Sequence, residues 1–282
     1  MNILIIHNSK IPVHKYGGTE RVIWYLGKEL VALGHQVKYI VPKGSSCDFA
    51  EVIERDEQIS IHEQIPESTD IIHYHYQAKE IEELKFPYVV TVHGNRNHFE
   101  PFAKNSIFVS KNHAKRYGSD SFVHNGLDWK DYGVPDLDNE RNYYHFLGNA
   151  AWKVKNVKGA IAVIKQTQKE QLKVLGGKRI NFKMGMRVTL SPRISFEGMV
   201  GGKVKNNFLN GSKGLLFPVR WSEPFGLAIT ESLYFGCPVF GTPYGSLSEI
   251  VTEKYGFLSA NKMELAEAIE NKHYDRRACH NY

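Results

Sequence analysis

The 282-residue sequence has only three cysteines, Cys47, Cys237 and Cys279, far apart and with no C-x-x-C among them. So sparse and odd a count excludes a disulfide framework and points to reduced thiols in a cytoplasm. No run of about 18 uncharged apolar residues occurs, so no segment reads as a transmembrane helix. The amino terminus turns polar after Ile6, too early for a secretion signal, and reads as a first strand. The glycine pairs at 17–18, 176–177 and 201–202 do not make a G-x-G-x-x-G, which argues against NAD. No G-x-S-x-G elbow surrounds Ser110 or the Ser246-Leu247-Ser248 segment, which argues against a serine hydrolase. Zinc fingers, RNP aromatic pairs and Arg/Lys tracts are missing, so nothing points to nucleic acid. His73 and His75 share one face of a strand by period-two geometry but have no Cys, Asp or Glu companion at metal-ligand spacing. No metal is therefore expected. Internal repeats, coiled coils and low-complexity tracts are also lacking.

What is present is an ordinary globular composition, 42% apolar and 23% charged. The charge is uneven. Residues 1–136 carry 15 Lys and Arg against 18 Asp and Glu, a net of −3, while residues 137–282 carry 21 against 12, a net of +9. A basic second half suits an anionic ligand such as a diphosphate, or an acidic surface.

Apolar runs at residues 2–7, 36–41, 70–75, 88–93 and 106–110 read as buried strands. Between the first two, Val22, Ile23, Leu26, Leu30 and Leu33 recur at helical spacing and Gly34 closes the helix. Residues 51–68 are charged and carry no clear assignment. Residues 128–141, with Gly133, Pro135 and Asp136, form the best linker. A second cycle follows, with strands at 143–148, 171–175, 194–196, 214–218, 238–240 and 257–258. Helices are expected at 157–168, from about 203, at 227–235 and at 263–271. Two such cycles predict an α/β protein of two Rossmann-like domains, residues 1–136 and 137–282.

Residues 221–231, Trp-Ser-Glu-Pro-Phe-Gly-Leu-Ala-Ile-Thr-Glu, follow a buried strand and lead into a helix. In open parallel sheets ligands bind beyond the carboxyl ends of strands. Gly226 lets a ligand approach the backbone, and free amides at the helix start favour an anion. Glu223 and Glu231 bracket the stretch, and eight helical positions separate them by roughly 12 Å at most. That is the reach of a diphosphosugar from hexose to ribose, both of which offer vicinal hydroxyls to a carboxylate.

These residues resemble the retaining glycosyltransferases of family 4. The signature there is Glu-Pro/x-Phe-Gly-x₄-Glu followed by Ala/Ser-x₃-Gly-x-Pro-Val. Glu223, Pro224, Phe225, Gly226 and Glu231 follow it, as do Ser232, Gly236, Pro238 and Val239. Gly17-Gly18, Thr91-Val92-His93-Gly94, the Asn125-Gly126-Leu127-Asp128 run, Lys158-Gly159 and Phe196-Glu197-Gly198 resemble further family motifs in the same order. Two departures stand out. The family's Gly-Arg after the first strand of the second domain is Gly148-Asn149 here, and Lys153 or Lys155 would have to supply the missing charge. Gly245 and Glu249 resemble the family's Gly-Gly-x₂-Glu turn, but Ser246 replaces the second glycine. The chain also stops at Tyr282, where relatives continue.

The resemblance implies the GT-B fold, with a deep interdomain cleft, an acceptor-binding first domain and a nucleotide-sugar-binding second domain. It implies transfer of a hexose from a UDP- or GDP-sugar to a saccharide, lipid or other hydroxyl, with retention and without a metal or other cofactor. The nucleotide-sugar is a co-substrate. His93 and Glu223 would be the catalytic residues, His93 and Glu223 both meeting the sugar. Gly17, Gly18, Lys153, Lys158, Phe225, Gly226, Leu227 and Glu231 would bind the donor, with Lys158 and Lys153 on the diphosphate and Glu231 on the ribose. Asp136-Leu137-Asp138 mimics the Asp-x-Asp cation site of the other large glycosyltransferase fold, but its place in a turn reads as solvated. A nucleotide-sugar 2-epimerase of the same fold, or a sugar-nucleotide-binding protein that lost activity, are the alternatives. The expected location is the cytoplasm, with peripheral contact at an inner membrane face left open.

Overall fold

The computed structural model describes every residue except 14, 16, 79–80, 97–100 and 183–185, and the side chains of residues 82 and 187. The chain divides into two compact units, Met1–Asp128 and Trp129–Tyr282.

The first unit runs β1 (Asn2–Ile6), α1 (Gly18–Ala32), β2 (Gln36–Val41), β3 (Glu51–Glu54), β4 (Ile71–Tyr74), β5 (Tyr88–Val92), β6 (Ser106–Phe108) and α2 (Lys111–Arg116). Its six strands form one parallel sheet in the order β3-β2-β1-β4-β5-β6. β1 is apolar and buried from Ile3 to Ile6 because both of its faces are covered, as in parallel sheets generally. Alternation then sorts its side chains. Leu4 and Ile6 pack with Ile40, Ile72 and Val90 on one face, and Ile3 and Ile5 with Val37, Tyr39 and Ile23 on the other. α1 can lie close to β2 because Gly27 has no Cβ; one built there would stand 1.8 Å from the Tyr39 hydroxyl. The charged stretch left unassigned in the sequence supplies the edge strand β3, where the Lys38–Glu51 ion pair at 2.8 Å bridges to β2. Charge on an edge discourages pairing with other chains.

The second unit runs β7 (Tyr143–Leu147), α3 (Val157–Gln166), β8 (Leu172–Leu175), β9 (Ile180–Asn181), β10 (Arg187–Val188), β11 (Ile194–Phe196), α4 (Gly202–Asn210), β12 (Ser212–Phe217), α5 (Leu227–Tyr234), β13 (Val239–Gly241), α6 (Leu247–Ile250), β14 (Gly256–Leu258), α7 (Lys262–Asn271) and α8 (Arg276–His280). Six of these strands repeat the permutation of the first unit, in the order β11-β8-β7-β12-β13-β14, all parallel. β9 and β10 form a separate antiparallel pair. Phe146, Val174, Leu216 and Phe240 from the sheet pack with Ile161, Ile164, Leu265 and Ile269 from α3 and α7.

The units divide at Asp128, eight residues before the boundary expected at 136. The difference has a packing cause. The turn Trp129–Tyr132 belongs to the second unit, with the Trp129 ring stacked 4.4 Å from Tyr234 and the Tyr132 hydroxyl bonded to Glu231.

This strand order has a topological switch point between the first and fourth strands of each unit, β1/β4 and β7/β12. Connections leave those neighbours toward opposite faces, and a crevice opens at their carboxyl ends.

Candidate functional site

At the β7/β12 switch point the two connections meet. After β7 the chain passes through Gly148-Asn149 to a 3₁₀ turn at Lys153–Lys155 and then α3. Asn156 ends that turn in the left-handed region, at φ 57°, and its Oδ1 caps α3 by accepting from Gly159 N at 3.0 Å. Asn and Asp tolerate that conformation better than other non-glycine residues. The Asn156 amide also donates to Pro218 O at 2.7 Å, and Arg220 N–H donates to Val154 O at 2.8 Å. The loop after β7 is thereby sewn to the loop after β12.

Inside that seam Lys155 reaches Glu223. Its Nζ lies 2.8 Å from Oε1 and 2.7 Å from Oε2, and Trp221 Nε1–H donates to Oε2 at 2.7 Å. Both ionic side chains are buried. The Lys155 ammonium also sits 5.0 Å from the Trp221 ring centre and 5.2 Å from that of Phe217, within cation–π range. The Glu223 backbone is fixed from the other side by a parallel bridge to Gly245 and by Ser246 N–H donating to Glu223 O at 2.9 Å. Ser246 Oγ–H donates to Phe225 O at 2.6 Å. The serine that replaces the family's second glycine therefore clamps the signature segment.

Glu231, on α5, is almost wholly buried and is met by a second lysine. Lys205 of α4 makes a short ion pair with Oε1, and the Tyr132 hydroxyl donates to the same oxygen at 2.8 Å. Asn206 holds Tyr132 in turn, donating to its carbonyl at 2.8 Å. Phe225 is buried, and Gly226, at φ 85°, turns the chain into α5, which begins at Leu227. A Cβ at Gly226 would come within 2.9 Å of Ile229 Cδ1 and 3.2 Å of Glu223 Cγ.

The lysines fall out differently from the sequence expectation. Lys153 and Lys158 are exposed, while Lys155, named there only as one of two substitutes for a missing arginine, is the buried cation. Lys213 reads from the sequence as a solvated loop residue. That is corrected: it lies in β12 and its Nζ bonds both Glu170 oxygens, at 2.8 and 2.7 Å. Asn149 Oδ1 accepts from Ala151 N at 3.0 Å and so shapes the turn after β7. Lys205 and Tyr132 escaped sequence reasoning. A lysine in a polar helix and a tyrosine in a turn-rich stretch normally face solvent, and only the tertiary fold brings them to Glu231.

The first unit gathers histidines at its own switch point. His7 follows β1, His75 follows β4 and His93 follows β5. His75 Nδ1 and His93 Nε2 share a hydrogen bond of 2.9 Å, and His73 Nε2 meets Thr91 Oγ1 at 2.7 Å. The His73 and His75 rings stack 4.2 Å apart. Burial, reinforced by His7, His73 and His113 nearby, pushes the His93 imidazole down to about 3. It is neutral at pH 7, able to donate one hydrogen bond and accept another. Gly17 precedes α1 at φ 151°, where a Cβ would stand 2.7 Å from both Val13 Cγ2 and Glu20 Oε2, and Gly18 opens the helix. Among the described residues no group of three or more His, Cys, Asp or Glu side chains is arranged to hold a metal.

Residues 141–273 match the family described as Glycosyl transferases group 1. No curated protein matches the chain in sequence. Among solved structures, AviGT4, a glycosyltransferase involved in Avilamycin A biosynthesis, superposes with a TM-score of 0.76 at 18% identity, covering 99% of this chain and 91% of that one. Sucrose-phosphate synthase from Thermosynechococcus elongatus gives 0.74 at 17% identity, with coverage of 99% and 91%. Anabaena Alr3699/HepE in complex with UDP and glucose gives 0.71 at 16% identity, with coverage of 100% and 93%. At such identities the likeness is one of fold.

Proposed function

We propose that this chain, which belongs to the group 1 glycosyl transferases and takes its sugar from a nucleotide-sugar donor, moves a hexose from a UDP- or GDP-sugar to a saccharide, lipid or other hydroxyl acceptor. The observation that carries the reading is the buried Lys155–Glu223 pair at the β7/β12 switch point. A cation fixed there suits a diphosphate, and the carboxylate beside it suits sugar hydroxyls. The UDP and glucose held by the Anabaena neighbour favour UDP as the carrier.

The acceptor hydroxyl attacks the anomeric carbon on the face from which the diphosphate departs. The new C–O bond forms as the bond to phosphate breaks, and the hydroxyl proton passes to the leaving phosphate oxygen. The protein contributes placement and charge rather than a covalent partner. On the second unit Lys155 balances the departing diphosphate, with exposed Lys153 and Lys158 as outer charges. Gly226 and the amides opening α5 at Leu227 approach it closely beside Phe225. Glu223 accepts from the sugar, and Glu231, preset by Lys205 and Tyr132, accepts from the ribose. On the first unit neutral His93 is assigned to the sugar hydroxyls, and Gly17-Gly18 to close backbone approach. The reading needs no metal.

The test is a panel of UDP- and GDP-sugars, scored first by the rise in melting temperature, since a ligand of the folded state stabilises it by mass action. Sugars that bind are then incubated with hydroxyl acceptors, and products are read by mass spectrometry and NMR. An α-linked product from an α-linked donor is expected. A free 2-epimer would instead assign the epimerase reaction, and binding without any product would leave a sugar-nucleotide-binding protein.

A further inference from the structure

His73 and His75 belong to no metal-holding group among the described residues. They are tied instead to β5. His73 faces Val89 in the parallel register, and its Nε2 reaches two positions further along the same face, to Thr91 Oγ1 at 2.7 Å. His75 repeats the step: its Nδ1 meets His93 Nε2 at 2.9 Å. The His73 and His75 rings lie face to face, 4.2 Å apart and inclined by 26°, so the anchored His73 fixes the plane of His75. The His75 and His93 rings meet differently. Their centres are 5.2 Å apart and their planes inclined by 22°, about the largest separation that a 2.9 Å bond allows. The two rings are therefore end to end, and the bond runs in the plane of both, where an imidazole N–H and lone pair point.

The proton in that bond has a direction. Burial holds both imidazoles well below the usual histidine value, so both are neutral at pH 7. Each carries one N–H, and only one of them can donate across the gap. If His93 donated from Nε2, the His75 proton would sit on Nε2, a buried atom with no partner among the described residues. An orphaned buried N–H is a rarer and costlier defect than a bare acceptor. His75 therefore donates from Nδ1, and the His93 proton sits on its own Nδ1. His75 is buried and His93 half-buried, and the bond to His75 is the one ring hydrogen bond of His93 among the described residues. The Nδ1–H of His93 is thus left for a ligand.

We propose, resting on the assignment of His93 to the sugar hydroxyls, that His75 is its positioning residue: it holds the His93 ring and fixes the tautomer that offers Nδ1–H to a sugar oxygen. An imidazole held by its second nitrogen keeps one orientation and one protonation pattern through turnover. Proton–nitrogen correlation spectra of the full chain at pH 7 read the tautomer, with His93 identified by its loss in His93→Gln. Wild type should carry the proton on Nδ1. His75→Phe keeps a ring to stack on His73 but has no donor. It should release His93 into a mixture of tautomers and lower kcat for UDP release from UDP-glucose by about 10- to 100-fold, with KM little changed. His75→Asn sets an amide N–H near the place of Nδ1 and should restore the Nδ1–H tautomer and most of the turnover. A His93 proton on Nε2 in wild type overturns the inference. So does an unchanged tautomer in His75→Phe, or a changed one with full turnover. If His75→Phe fails to fold, the wild-type spectrum and His75→Asn still decide. If wild type releases no UDP while His93 keeps Nδ1–H, the donor-site reading fails and the hold of His75 on the tautomer stands.

Discussion

Lys155 Nζ reaches both carboxylate oxygens of Glu223, at 2.8 and 2.7 Å, and neither side chain is open to water. Each ion is a liability without the other. Breaking a buried pair by removing one partner costs about 3–5 kcal/mol, whereas replacing both by packed apolar groups can be neutral. Lys155→Ala and Glu223→Ala should each destabilise the second unit by that amount, and Lys155→Met with Glu223→Leu by much less than the sum. Urea unfolding of the three variants and wild type measures the coupling. Additive losses would mean that the pair does not act as a unit.

The same lysine should dominate the diphosphate. Lys155→Ala is expected to weaken UDP binding by roughly 10- to 150-fold, the scale of a charged hydrogen bond. Lys153→Ala and Lys158→Ala remove exposed charges and should cost about threefold or less, a loss that shrinks as salt is raised. Lys213→Ala should leave UDP affinity unchanged, because its partner is Glu170. Asn149→Arg should tighten UDP binding. Calorimetric titration at two salt concentrations ranks them. If Lys158→Ala binds worst, the diphosphate lies nearer the start of α3 than Lys155.

Gly245 and Ser246 hold the segment that carries Glu223. Gly245 sits at φ 67°, and a Cβ there would lie 2.2 Å from Glu223 N and 2.3 Å from its carbonyl oxygen. Those are backbone atoms, which cannot swing aside. Gly245→Ala should therefore cost about 1–3 kcal/mol in strain and displace Glu223, lowering turnover along with stability. Ser246→Gly removes only the hydrogen bond to Phe225 O, worth about 1 kcal/mol, and should leave turnover close to wild type. Melting temperature and steady-state rate, measured together, separate the two. Equal effects would mean that the Gly245 bridge does not position the carboxylate.

Most of the sheet was legible in the sequence because parallel strands buried on both faces are continuous apolar runs. β1, β2, β4 and β5 fall where those runs do. β3 was not legible: its Glu51 and Glu54 are the charges that protect an edge. The β9–β10 pair was missed because each strand is two residues long and its apolar residues, Ile180 and Val188, face water, so no buried run marks it. At the site, the spacing of Glu223 and Glu231 was visible, but not what each one binds. Lys155 stands 68 positions from Glu223, and Lys205 is on a helix that buries Lys205 and Asn206 beside Leu209 while its Val204 faces water. Those contacts come from the strand order, which local sequence does not encode.

Glu231 is preset by Lys205 and Tyr132. Glu231→Ala should weaken nucleotide binding by about 1–3 kcal/mol, since it removes a charged acceptor for ribose hydroxyls. Tyr132→Phe keeps the carboxylate and removes one neutral donor, so it should cost about 1 kcal/mol of stability and little affinity. Calorimetry on both variants decides. Unchanged affinity in Glu231→Ala would take this residue out of the donor site and leave its triad a structural one.

Acid should unfold the first unit before the second. Burial lowers His7, His73 and His113 to about 4 and His93 to about 3, and holds His75 well below its usual value. In the second unit His145, buried between Ser212 and Ser232, is the one described histidine lowered so far, to about 3. All are neutral when folded. An unfolded histidine titrates near 6.5. Above that value neither state is protonated and nothing is lost. Between about 6.5 and 4 the unfolded chain takes up a proton that the folded chain refuses, so each histidine withdraws about 1.4 kcal/mol of stability per pH unit. Five histidines act on the first unit and one on the second. Hydrogen exchange read by mass spectrometry at pH 7 and 5.5 should show protection falling in β1, β4 and β5 while β7 and β12 hold. His7 offers a direct check, because neither of its ring nitrogens makes a hydrogen bond. His7→Phe removes the titration without breaking a bond, and should flatten the acid slope of the first unit by one histidine's share. If that slope is unchanged in His7→Phe, or if both units lose protection together, acid sensitivity arises elsewhere than in the buried imidazoles.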